Sequence, residues 1–433
     1  MKAPLTNIHV HVFNAECAPE NFLRIMAIKF IRKYPGLVKS ILENPNIRKV
    51  IWWINTWIAR NKSKRRSNFA KYIAFLNVGT QNTQSDVFNL AFDVARNYDP
   101  SARIVALTLD MDRMDNQGRK PEKPLNTQLE EVKQLKRYHP DNFFPFLGVD
   151  PRSHSGTQLV NWVRPFFTTG IKSPVTGKVY PYFSGIKIYP ALGYFPFDPR
   201  LDELYAYAQK EEIPVVAHCT RGGSQYIGSQ IEFFIPRIPE MILPDAHHPL
   251  FSDAAEAGEE INKRIEQYYK KGWIKNNTTG DNDRACDLFS HPQNYIPVLI
   301  KYPKLKLCLA HMGGTDEIIG QWDVMQKEIH DVDPYIFTDL IFDLMVKYPN
   351  LYTDISYTLS GLEIGTVWNK LNNWMNRADS QGNKLENRVL FGTDFFMTEQ
   401  EEQEKELYEI ARKILGDKFD LLARDNAVNY LGF

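Results

Sequence analysis

Eight short apolar runs, separated by stretches of helical periodicity, constrain this chain more than any other feature. They are Asn7–Phe13, Arg103–Asp110, Phe143–Asp150, Ser184–Pro190, Ile213–Thr220, Leu305–His311, Leu351–Ser356 and Arg388–Asp394. Most are nearly continuous in apolar character, as expected of parallel strands buried on both faces. Helical segments fall between them. In "DPRLDELYAYAQKEE", Asp198 is a natural N-cap and Pro199 takes the first helical position, while Leu201, Leu204, Tyr205 and Ala208 share a face. "TEQEEQEKELYEIARKILG" reads as a helix opening on a capping box, Thr398 with Glu401, and stopping near Gly416. Eight strands alternating with helices predict an α/β fold, a (β/α)8 TIM-type barrel, spanning residues 1–433 as one domain.

Two segments interrupt the alternation. Residues 15–100 form a helical insertion after the first strand, and residues 222–303 form another after the fifth. Insertions at strand C-termini of a barrel build active-site walls or lids. The second contains "HHP" at His247–Pro249 and "NNTTGDND" from Asn276, which reads as a loop. The first is strongly basic: between Asn21 and Lys71 there are thirteen Lys or Arg against one acid, Glu43. A solvated helical face explains such a run, as does an anionic partner or membrane surface. Within it, "VIWWINTWIAR" is expected to bury Trp52, Trp53 and Trp57 against the barrel mouth or a twin subunit. Interfacial membrane binding is the alternative.

The remaining composition narrows the class. No run of eighteen apolar residues exists, so no transmembrane helix is expected, and no apolar signal region precedes His9. Cys17, Cys219, Cys286 and Cys308 lie far apart without a CxxC pair. That fits a reducing, cytoplasmic setting and argues against a disulfide scaffold or a thiolate zinc site. A small-molecule substrate is expected rather than nucleic acid.

Polar residues mark the strand ends. In "NIHVHVFN", period-two alternation puts His9 and His11 on one face and Val10 and Val12 on the other. Lys187 lies on the fourth strand, while His218, His311 and Asp394 end the fifth, sixth and eighth. Singly, each has a structural explanation: a hydrogen-bonded core histidine, a paired lysine, a helix cap. Jointly they converge on the barrel mouth, where strand C-termini deliver catalytic groups. Imidazole and carboxylate ligands suit zinc, or a harder divalent ion such as manganese.

Longer motifs carry a resemblance. They are "HVH" at 9–11, "GIKIYPALGY" at 185–194, "IPVVAHC" at 213–219, "YPKLKLCLAHMGG" at 302–314, "YPNLYTDIS" at 348–356, "VLFGTDFF" at 389–396 and the closing "DNAVNYLGF". With these motifs the sequence resembles the amidohydrolase superfamily, in its amidohydrolase-related branch of metal-dependent hydrolases and decarboxylases. The match is dense from about Pro140 onward, plus the first strand, and leaves residues 15–100 uncovered. Phe395 follows the aspartate where an aromatic–proline pair is more usual.

The resemblance implies that His9, His11, His218 and Asp394 hold one divalent metal with a position left open for water or substrate. Asp394 would take a proton from an activated water and pass it to the leaving group, while His311 positions or protonates the substrate. Arg221, in "HCTRGG", would bind a substrate carboxylate or form a loop salt bridge. One ion is preferred. If Lys187 is carboxylated it would bridge two, with His218 and His311 on the second. The implied activity is hydrolysis of an amide, ester or lactone of a small carboxylated substrate. The alternative is non-oxidative decarboxylation of a small or aromatic acid. A third reading is a non-catalytic barrel whose basic segment interacts with a partner.

Overall fold

The computed structural model describes residues 2–25, 44, 46–47, 49–51, 54, 68–115, 120–223, 226, 251–275, 278–279, 281–322, 324–400 and 402–432. Each apolar run yields a strand: β1 (Thr6–Val10), β2 (Arg103–Ala106), β3 (Phe146–Val149), β4 (Gly185–Ile188), β5 (Val215–Thr220), β6 (Leu307–Gly313), β7 (Leu351–Asp354) and β8 (Val389–Leu390). β3 to β8 pair in chain order as one sheet, and β1 pairs with β2. All these pairs are parallel. Backbone hydrogen bonds join the two sets. Phe144 N donates to Ile104 O (2.8 Å) and Thr108 N to Phe146 O (3.1 Å), tying β2 to β3. On the other side, Ile8 N donates to Phe391 O (3.0 Å) and Asp394 N to His9 O (2.8 Å). Every strand thus has two neighbours, and the sheet closes as an eight-stranded barrel without free edges.

The barrel has an apolar end and a polar end. Ile8, Val105, Phe146, Val216, Cys308 and Leu390 from different strands share a buried cluster with Tyr430 and Leu431 of the C-terminal helix. Tyr430 OH donates to Val215 O at 2.8 Å, anchoring that helix at the N-terminal end of β5. The C-terminal strand ends instead carry histidines and carboxylates. Positive φ values collect there: His311 (68°), Met312 (54°), Tyr357 (60°), Asp394 (59°) and Phe396 (32°). Non-glycine residues in this region store strain, typically at sites where geometry is fixed for function.

The described parts of the insertions are mainly helical. Helices Asn68–Gly79 and Gln84–Tyr98 belong to the first. Phe75 stacks on Phe396 with ring centroids 4.6 Å apart, placing this helix beside the loop that follows Asp394. Trp52, Trp53, Trp57, His247–Pro249 and most of the basic segment 21–71 lie outside the described residues. The second insertion holds the helix Phe251–Lys270 and the helix Asn282–Phe289. The stretch from Asn276, expected as a loop, supplies one strand of a small hairpin and a helix start. Thr278–Thr279 pair with Ile274–Lys275, and the Asp281 side chain caps the following helix. The last long helix also starts later than expected, at Glu404. Glu406 accepts from Gln403 N (3.2 Å), whereas Thr398 turns back to donate to Asp394 O (3.2 Å).

Beyond β2, Asp110 is buried beside Asp150. Burial, then the Asp150 charge, pushes its carboxyl up to about 6. An acid with a raised native pKa binds protons more tightly when folded. Its contribution is therefore full below the unfolded pKa of about 4 and is lost as pH rises through 6. Asp110→Asn is accordingly expected to stabilise the protein by about 1–3 kcal/mol at pH 8 and by little below pH 4. Denaturant unfolding at both pH values checks this, and a pH-independent effect would contradict it.

Candidate metal centre

The site begins with the histidines of β1. The β1–β2 register shifts between Asn7 and Val10. Asn7 bonds outward to Thr393 and Glu404, whereas Ile8 joins the barrel interior and His9 lies above it. His11 Nδ1 lies 3.0 Å from Leu107 O, which can only accept. Its proton is therefore on Nδ1, and Nε2 carries the lone pair. His9 Nδ1 lies 3.0 Å from Asp354 Oδ2, which fixes the same tautomer. Both lone-pair nitrogens then face Asp394 Oδ1, at 3.4 Å from His9 and 3.2 Å from His11. His9 Nε2 and Asp394 Oδ1 are buried without a hydrogen-bond partner. Three acceptors thus converge with no proton between them, and a cation satisfies this arrangement. The three ligand atoms lie within 4.8 Å of one another.

Neighbouring groups hold the triad. Asp354 accepts from His9 Nδ1, from His311 N (2.9 Å) and from Ser356 N (3.0 Å). Ser356 Oγ also contacts Asp354 and lies 2.9 Å from His311 Nδ1. A Cβ on Gly392 would fall 2.6 Å from His9 Cβ, so glycine is required for this close approach. Burial, followed by the Lys187 charge, holds His9 well below the usual imidazole range. Burial raises Asp394, and the Lys187 charge acts against it.

A family model, described as amidohydrolase, matches residues 139–433. The chain belongs to the amidohydrolase family. His9 and His11 lie outside the matched stretch, yet the fold brings them to Asp394, which lies inside it. No curated protein matches the chain in sequence. Among solved structures, similarity extends to 5-carboxyvanillate decarboxylase from Novosphingobium aromaticivorans, complexed with manganese and 4-hydroxy-3-methoxy-5-nitrobenzoic acid. It is 12% identical, with 100% of each chain covered and a TM-score of 0.43. It extends also to 4-oxalomesaconate hydratase from Rhodopseudomonas palustris, 12% identical, covering 99% of this chain and 95% of that one, TM-score 0.43. A third is 2,6-dihydroxybenzoate decarboxylase from Rhizobium, 13% identical, covering 79% and 87%, TM-score 0.40.

Other expected site residues of this amidohydrolase take different positions. His218 and His311 face the same cavity, of about 230 Å³, as His11 and Asp394. The ring nitrogens of His218 are engaged elsewhere: Nε2 lies 3.1 Å from Gly222 O, and Nδ1 lies 3.1 Å from His311 Nε2. Its ring stacks on Tyr189, with centroids 4.3 Å apart. A Cβ on Gly223 would meet His218 Cε1 at 2.9 Å, so glycine lets this loop close over the imidazole. His218 therefore stands beside the triad rather than within it. Lys187 is buried with its Nζ unpartnered, and burial lowers its pKa to about 8.

Of the two roles expected for Arg221, binding a substrate carboxylate or forming a loop salt bridge, the structure shows the salt bridge. Its side chain is 1% exposed, with Nε 2.9 Å from Glu317 Oε1 and Nη2 3.2 Å from Asp333 Oδ2. The guanidinium packs over the Phe337 ring, 4.2 Å from its centroid.

Asp354 and Ser356, within "YPNLYTDIS", join the site without having been expected there. The available signal was position, since Asp354 ends an apolar strand as Asp394 does. Asp354→Asn is expected to weaken metal affinity by about 10–100-fold while the fold persists. Chelator competition measures this, and an unchanged affinity would remove Asp354 from the account.

Proposed function

We propose that this protein is a metal-dependent hydrolase that cleaves an amide, ester or lactone of a small molecule. The observation that carries the reading is the convergence of His9 Nε2, His11 Nε2 and Asp394 Oδ1 without an intervening proton. These three residues would hold a divalent ion, zinc, with manganese the alternative. His218 is the candidate fourth ligand, available after its ring turns away from His311. Such an ion supplies Lewis acidity, lowering the pKa of a coordinated water to about 7 and polarising a carbonyl.

The chain's own groups divide the remaining work. Asp394, raised by burial, accepts a proton from the attacking water and returns it to the leaving group. His311 holds a proton on Nε2, toward His218, and orients the substrate from the facing side of the cavity. Lys187 remains a buried neighbour that reinforces ionisation of Asp394. Metal-loaded protein should be assayed against small amides, esters, lactones and aromatic acids, following both acid release and CO2 release. Hydrolysis that is lost on chelation supports the reading. CO2 release without hydrolysis moves it to the decarboxylase, and neither activity across the panel counts against it.

A further inference from the structure

Two residues of the metal centre sit where the main chain is irregular. The pairing of β1 with β2 shifts register between Asn7 and Val10, and His9 lies within that shift. Across the seam to β8, Asp394 follows Thr393 and holds a φ of 59°. An irregular ladder leaves backbone N–H groups in need of other acceptors. One side chain serves both places. Asn7 Oδ1 accepts from His9 N and from Thr393 N, each at 3.2 Å. Two N–H donors can meet only an acceptor, so the amide oxygen faces the main chain and the amide nitrogen faces away. Asn7 Nδ2 then donates to Thr393 Oγ1 at 2.8 Å and to Glu404 Oε1 at 3.2 Å. Thr393 Oγ1 in turn donates to Glu404 Oε1 at 2.9 Å and accepts from Phe395 N at 3.4 Å. One carboxamide thus ties the main chain at His9 to the residues on both sides of Asp394. Asn7, Thr393 and Glu404 are all buried, so water does not replace an acceptor lost here.

We propose that Asn7 is a positioning residue of the metal centre. By sharing one oxygen between His9 N and Thr393 N, it sets where the His9 and Asp394 ligand atoms stand relative to each other. The inference rests on reading His9, His11 and Asp394 as ligands of one divalent ion. Ligand distances in such sites hold to within about 0.2 Å. A main chain that shifts to regain its hydrogen bonds on either strand is therefore felt at the ion. Cobalt(II) titration of the chelator-stripped full chain, followed by visible absorption, tests this. Asn7→Leu keeps the bulk without the acceptor. It is expected to weaken cobalt affinity by at least about tenfold and to alter the absorption bands. Asn7→Asp keeps an oxygen toward both N–H groups and should retain the wild-type bands. Thr393→Val removes the acceptor of Asn7 Nδ2 but leaves Thr393 N in place. It should weaken affinity several-fold, and it carries the test if Asn7→Leu does not fold. Wild-type affinity and bands in Asn7→Leu, or in Thr393→Val where Asn7→Leu does not fold, would overturn the inference. Equal disturbance by Asn7→Leu and Asn7→Asp would overturn it too. A purely structural Asn7 would lower unfolding stability and leave the bands unchanged. The titration does not depend on turnover, so failed hydrolysis alongside these variant effects would strike at the proposed activity alone. Wild-type protein that binds no cobalt would overturn the ligand reading and this inference together.

Discussion

Asp394→Asn is expected to lower turnover by about 10²–10⁴-fold while leaving the fold intact. The amide keeps an oxygen where Oδ1 now faces His9 and His11, but it cannot accept a proton. It also removes the negative charge that a cation there would meet. The backbone contacts that hold this position, Asp394 N to His9 O and Thr398 N to Asp394 O, do not involve the side chain. Circular dichroism and thermal unfolding should therefore stay close to wild type. Near wild-type activity in the variant would mean that another group moves the proton.

The largest stability effect is expected away from the metal centre. Asp333 is buried among Arg221, Arg264 and His291, with contacts of 3.2, 3.4 and 3.2 Å. Burial alone would raise its carboxyl, but His291, Arg264 and Arg221 outweigh it and hold the group well below the usual range. Asp333→Ala leaves two buried guanidinium groups short of their counter-charge. Removing one member of a buried pair costs about 3–5 kcal/mol. The protein should lose that much in denaturant unfolding. A loss below about 1 kcal/mol, the scale of an exposed salt bridge, would show that the network is not holding the loop beyond β5. Because Arg221 belongs to that loop, a secondary loss of activity is also expected.

The fold was legible because its signal is local. Each strand announces itself as an apolar run, and closure follows from having eight of them. His9, His11 and Asp394 were legible because an ionisable residue ending an apolar strand is conspicuous in one dimension. Asp354 carried the same mark and was passed over among the apolar and hydroxyl residues of its motif. The fate of Arg221 could not be read, because its partners are 96 and 112 positions away in sequence. Nothing near Arg221 distinguishes a guanidinium that reaches a substrate from one consumed by Glu317 and Asp333. The misplaced helix start has a different cause. "TEQEEQEKE" offers two capping pairs, Thr398 with Glu401 and Gln403 with Glu406, and tertiary contacts, including Glu404 N donating to Glu399 Oε1 at 2.9 Å, select the later one.

The central claim is that His9, His11 and Asp394 share one divalent ion. Anomalous diffraction at the metal absorption edge, from crystals of the metal-loaded protein, tests it most directly. The account predicts one peak about 2.0–2.2 Å from His9 Nε2, His11 Nε2 and an Asp394 oxygen if the ion is zinc. A peak held by His218 and His311 without His9 and His11, or no peak at the strand ends in active protein, would contradict it.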